Sequence, residues 1–123
     1  MSPRSEEFMA TARARLAEAR DVLAQGHLAG AASAAYYAML YAARAALSER
    51  DLYAKTHAGV WSSFSETFVA TGDFGEDLAR RARRAKRVRE LGDYEAKPPP
   101  RDRAEQLVAT ANEFVEAVER MLA

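Results

Sequence analysis

The sequence predicts an all-α fold, a bundle of about five helices. Two observations carry this. Apolar residues recur at three- and four-residue spacing along most of the chain. No Asn-Gly or Asp-Gly turn interrupts an alternating pattern, so no hairpin is signalled. The chain of 123 residues suits one domain spanning 1–123, large enough to bury a core.

The first helix is expected from about Pro3 to Gln25. Ser2 can cap it, Pro3 suits its first turn, and Gly26 suits a left-handed stop. Its apolar stripe is Phe8, Ala12, Leu16, Ala19 and Leu23. The second helix covers residues 28–49. Gly30, Ala34, Ala38, Ala42 and Ala46 form a ridge of small residues that lets a neighbouring backbone come close. Tyr36, Tyr37, Met39, Leu40 and Tyr41 supply bulk. This helix is apolar on so many faces that a second subunit is expected to cover part of it, which predicts a homodimer.

Residues 28–47 are nearly free of charge, yet they are mostly alanine and include Arg44. An arginine costs about 2.5–3.5 kcal/mol at mid-membrane, so a buried central helix is the better reading than a membrane span. The third helix should start after Thr56 and run to about Ala70, with His57, Trp61, Phe64 and Phe68 on one face. Gly72 stops it, and Asp73 to Glu76 reads as a capping box for a fourth helix ending near Leu91 at Gly92. Pro98, Pro99 and Pro100 form a stiff connector. Asp102 with Glu105 reads as a second capping box. The fifth helix turns inward Leu107, Val108, Ala111, Phe114 or Val115, Val118 and Leu122.

Composition closes off several kinds of chemistry. Lysine plus arginine equals aspartate plus glutamate at 18 each, so no net charge draws the protein to nucleic acid or anionic lipid. Without cysteine there is no disulfide, thiol catalysis or thiolate-bound metal. His27 and His57 fit no zinc-ligand spacing, and no metal or cofactor is expected. The first residues lack the basic and apolar regions of a signal peptide, which predicts a cytoplasmic protein.

Arg89 stands out. At 100° per residue, Leu78, Ala82, Ala85 and Arg89 fall within about a 60° stripe, so an arginine faces the packed side of the fourth helix beside Asp93 and Tyr94. Such a cation must be paired, hydrated or in use. Two readings stand: an ion pair that ties down the following loop, or a guanidinium, carboxylate and phenol lining a polar cleft.

The run from Arg80 to Arg89 holds seven basic residues and no acid. It is either a phosphate-contacting ridge or a solvated face partly neutralised by Glu113, Glu116 and Glu119. Composition favours the solvated face. His57 at a helix start is most simply a packing or capping residue, kept neutral by the helix dipole. Ser33, Tyr37 and Arg44 share a stripe that is either a solvent seam or a polar line facing a cleft.

Three segments in order then resemble one family. They are Ala34 to Leu47 (AAYYAMLYAARAAL), Lys55-Thr-His57-Ala-Gly-Val60, and Arg89-x-x-Gly-Asp93-Tyr94. The chain resembles the HEPN family over almost its whole length. The resemblance implies an up-and-down helical bundle, pairing as a homodimer, and a minimal nucleotidyltransferase partner in toxin–antitoxin-like modules.

Many members are metal-independent RNases marked by an arginine, a polar residue, and a histidine four to six positions on. Arg89 and Glu90 match the first two, while Asp93, Tyr94 and Glu95 stand where histidine is due. Proton transfer in RNA cleavage suits imidazole near neutral pH, so this ending reads as a remodelled, non-nucleolytic site.

The leading expectation is therefore a binding module for a nucleotide, RNA or a nucleotidyltransferase. Arg89 would contact phosphate or carboxylate, Asp93 would orient it, and Tyr94 would offer a stacking face and a hydroxyl. His57, Tyr37 and Arg44 are further candidates for the same cleft. The alternatives are an RNase toxin in which His57 or Asp93 moves protons, and a structural dimer with no ligand.

Overall fold

In a computed structural model the described residues form five α-helices: α1 (Pro3–Ala24), α2 (Leu28–Ser48), α3 (His57–Phe64), α4 (Glu76–Glu95) and α5 (Arg101–Leu122). A single π turn, Ser65–Val69, extends α3. The structure describes the backbone of residues 1–95 and 97–123 and the side chains of residues 1–90 and 97–123. Among the described residues there is no strand, and no helix is long and apolar enough to cross a membrane.

Helix α2 is the axis of the bundle. It packs against α1, α5, α4 and α3. Its alanines Ala31, Ala35, Ala38, Ala42, Ala43, Ala45 and Ala46 are fully buried, because small side chains let four neighbours approach one helix. The premise behind the expected second subunit is thus corrected: one chain already covers α2, leaving only Ser33, Tyr37, Tyr41 and Arg44 half-exposed along its buried length. Gly30, at the start of the small-residue ridge, is exposed.

Most helix faces are those the periodicity predicts. Helix α1 buries Met9, Ala12, Leu16 and Ala19, with Phe8 and Leu23 half-buried at the edges. Helix α5 buries both Phe114 and Val115, which resolves the choice between them, while Leu122 stays half-exposed. Between α3, α5 and the start of α4 the rings of Trp61, Phe64, Phe68, Phe74 and Phe114 form a continuous cluster, with neighbouring centroids 5.0–6.4 Å apart.

The ends of the helices are less faithful to expectation. Ser2 caps α1 by accepting from the Ser5 amide (3.2 Å), Gly26 takes φ +83° after it, and Thr56 caps α3 by accepting from the Gly59 amide (2.9 Å). Neither capping box forms. Asp73 accepts from the Thr71 hydroxyl (3.0 Å) and faces Arg50, outside the helix. Asp102 already lies inside α5 and accepts from the amide of Arg103 (2.9 Å). Nor does Gly92 stop α4, which continues through it to Glu95. A glycine inside a helix costs only about 1 kcal/mol, less than the surrounding turns supply.

Candidate functional site

The site is built where α2, α3 and α4 meet. Tyr36 and Tyr37 are consecutive on α2 and so point about 100° apart. Tyr36 is fully buried and Tyr37 half-buried. Their rings meet edge to face at 5.4 Å. His57 is the first residue of α3 and packs against both, with centroids 5.8 Å from Tyr36 and 5.7 Å from Tyr37.

Arg89 arrives from α4 on the expected stripe. Ala82 and Ala85 are buried below it and Leu78 is half-buried. Its guanidinium lies 5.3 Å from the Tyr36 ring centre and 5.1 Å from that of Tyr37, and Nη2 donates to the Tyr37 hydroxyl at 3.3 Å. Both separations are within cation–π range. A second cation, Arg15 of α1, lies 5.9 Å from the Tyr37 ring.

A buried phenol needs partners for its oxygen and its proton. The Tyr36 oxygen accepts from the Trp61 indole nitrogen at 3.2 Å and lies 3.3 Å from His57 Nδ1. Indole can only donate, so the Tyr36 proton is best placed on the side of Nδ1. That arrangement leaves His57 with its own proton on Nε2. Burial, ahead of the other influences, raises the Tyr36 pKa and keeps the phenol protonated.

The His57 pKa is lowered, first by burial and then by the positive charges of Arg89, Arg44 and Lys86, with Glu90 opposing. Burial disfavours the imidazolium first, and the neighbouring cations add to that. Arg44 itself donates to the Ala54 carbonyl at 2.8 Å and ties down the α2–α3 loop, while its charge still reaches His57.

The fold thus brings together Arg89, Tyr37 and His57, with Arg44 at the edge. Asp93 and Tyr94 belong to the last turn of α4, and their side chains lie outside the described residues. Tyr36 is a residue that sequence reasoning missed. The available signal was its neighbour in kind: Trp61 and a tyrosine on apolar faces each bury a polar tip that must find a partner. Among the described residues no group of three or more histidine, aspartate or glutamate side chains could hold a metal ion.

The basic run on α4 divides by face. Arg80, Arg83, Arg84 and Arg87 are exposed, opposite the packed stripe. Arg81 pairs with Glu113 of α5 at 2.7 Å, but Glu119 is taken by Arg13 of α1 at 3.4 Å. Among the described residues Arg84 and Arg87 have no carboxylate partner, so the neutralisation expected from α5 is confined to Arg81.

Comparison with known proteins gives a consistent answer. Residues 5–121 match the family model described as HEPN domain. A Gloeobacter violaceus protein named as a UPF0332 protein is 35% identical over 94 residues, covering 76% of this chain and 75% of the relative. Two Methanocaldococcus jannaschii proteins carry the name "Putative toxin". One is 33% identical over 75% of this chain and 69% of the relative, the other 32% identical over 54% and 45%.

Proposed function

The chain belongs to the HEPN family, and from that premise we propose that it is a toxin-like module binding the phosphate of a nucleotide or RNA at the Arg89–Tyr37–His57 cluster. One observation carries the reading: Arg89 donates to the Tyr37 hydroxyl at 3.3 Å and lies against the same two tyrosine rings as His57. After burial, its charge and that of Arg44 are the next influences that lower the His57 pKa. The part of that effect due to the cations is one that also attracts an anion. The surroundings add specificity. Arg89 brings a planar fork suited to phosphate, and the Tyr37 ring offers an aromatic face already used by two arginines.

The names of the two archaeal relatives favour a toxin-like role within a two-component pair. A homodimer and a minimal nucleotidyltransferase partner are part of the same proposal and rest on the family resemblance. Copurification with a nucleotidyltransferase encoded beside this chain supports that part, and independent elution of the two proteins contradicts it.

A second reading, a metal-independent RNase, is favoured by the position of His57 against the same two tyrosines as Arg89. In that reading Arg89 stabilises the phosphorane charge and His57 takes the 2′-hydroxyl proton at Nε2, which requires the other tautomer, with hydrogen on Nδ1 facing the Tyr36 oxygen. Mixed RNA incubated with the protein in EDTA separates the two. Cleavage abolished in both Arg89→Ala and His57→Ala establishes the nuclease. Intact RNA, together with nucleotide binding by calorimetry that Arg89→Ala weakens at least tenfold, establishes the binding module.

A further inference from the structure

Helix α4 turns Arg89 toward α2, but its other flank meets α5 across a separate groove of about 350 Å³. That volume lies within the range of small-ligand sites. Three guanidinium side chains line it, Arg81 and Arg84 from α4 and Arg103 from α5, and Gln106 adds an amide. No carboxylate is among its lining residues. Val88 and Leu107 form an apolar floor.

The three arginines are not equivalent. Arg81 is fixed at one wall by Glu113 (2.7 Å) and Asp77 (3.1 Å). Arg84 and Arg103 have no ion pair among the described residues, whereas Arg81 holds both Glu113 and Asp77. Two guanidinium groups without carboxylates on one groove leave it locally positive, which attracts an anion. Guanidinium forks match phosphate oxygens in pairs. The apolar side chains of Val88 and Leu107 beside them suit a base or another planar group attached to that phosphate.

We propose that the α4–α5 groove is a second anion site, taking a phosphate ester through Arg84 and Arg103, with its planar group on Val88 and Leu107. The groove is distinct from the Arg89 cluster, because its α4 residues Arg81, Arg84 and Val88 lie about 80–140° from Arg89 around the helix. Between the two, Arg80, Arg83 and Arg87 make an exposed basic ridge. The helix is only about 10–12 Å across. A single nucleotide would fill the groove alone, whereas an RNA strand would continue over the ridge.

The test is a titration of the full chain followed through the Val88 and Leu107 methyl resonances, with the Tyr37 ring as reporter of the other site. The probes are inorganic phosphate, 5′-AMP and a short single-stranded oligoribonucleotide. The Val88 and Leu107 signals are expected to shift saturably with AMP. In the double variant Arg84→Ala/Arg103→Ala this response weakens at least tenfold while the Tyr37 response is retained, and in Arg89→Ala the pattern is reversed.

An oligonucleotide that binds at least tenfold tighter than AMP, with the gain lost in both variants, identifies a strand as the source. Equal affinity identifies a mononucleotide. Methyl signals unmoved by all three probes at millimolar concentration overturn the proposal, as does an unchanged affinity in the double variant. Signals that instead depend on protein concentration without any probe also overturn it, because a second copy then occupies the groove. Should the double variant lose its circular-dichroism spectrum, Arg84→Lys/Arg103→Lys retains charge without the fork. The proposal then requires at least threefold weaker AMP binding.

Discussion

Tyr36 shows what a single hydroxyl does in this protein. Its oxygen joins the Trp61 indole to the His57 ring, and Trp61 is itself 95% removed from solvent, at 5% exposure. Tyr36→Phe keeps the ring and deletes the link. Leaving a buried indole N–H without an acceptor should cost about 1–3 kcal/mol, read as a lower midpoint in urea. The variant should also redistribute the His57 proton between Nδ1 and Nε2, which ring nitrogen shifts report; an unchanged distribution would show that the phenol does not set the tautomer.

The lowered His57 pKa has a consequence for stability. Below about pH 6.5 the unfolded chain takes up a proton at this ring while the folded chain does not. Stability therefore falls as pH drops from about 6.5 toward the folded-state pKa and levels off beneath it. His57→Gln should flatten that part of the profile, measured by denaturant midpoints across the window. Arg89 was legible in the sequence because a cation on a stripe of alanines violates the pattern. Tyr36 was not, since two adjacent tyrosines on an apolar helix both read as bulk and spacing cannot say which hydroxyl is buried.

Among the elements, the segment after Phe64 departs most from a continuous helix. The expected third helix does reach about Ala70, but its last turn is π-helical, closed by the Ala70 amide on the Ser65 carbonyl at 2.9 Å. The wider turn accompanies the packing of Phe64 and Phe68 at 5.2 Å, with Phe74 meeting Phe64 from the start of the next segment at 5.0 Å. Phe64 touches Trp61, Phe68, Phe74 and Phe114, so Phe64→Ala should destabilise by about 3–5 kcal/mol, enough to abolish a cooperative thermal transition near ambient temperature in a domain of marginal stability. A loss under 1 kcal/mol would mean that the aromatic cluster is not the centre of this half of the core.

Helix existence and buried faces were legible because they rest on many residues at once. The ends were not, because each rests on one or two. Asp73 has both a helix and Arg50 within reach, and Gly92 can be a stop or merely a weak interior residue.

For the whole molecule, the self-contained cover of α2 changes what a dimer would have to do. Pairing cannot be driven by an uncovered helix, and its surface must come from half-exposed side chains such as Tyr37 and Tyr41 or from the exposed faces of the outer helices. The proposed homodimer predicts a mass of twice 13.6 kDa by light scattering at micromolar concentration; 13.6 kDa refutes it. The zero formal net charge hid the division of charge between faces, because the basic side of α4 is balanced by acids elsewhere in the chain. Only the folded arrangement shows that Arg89, Arg44 and Lys86 act on one imidazole.

The cations gathered near His57 are the centre of the proposed site, and the change in the His57 pKa on ligand binding tests their part in it. The ring should be followed by NMR through a pH titration, without ligand and with saturating 5′-AMP. A phosphate bound among these cations offsets their field, so the His57 pKa must rise on binding, and the rise must vanish in Arg89→Ala at the same AMP concentration. A His57 pKa that is the same with and without AMP, under conditions where calorimetry shows the nucleotide bound, would place the ligand elsewhere and contradict the site.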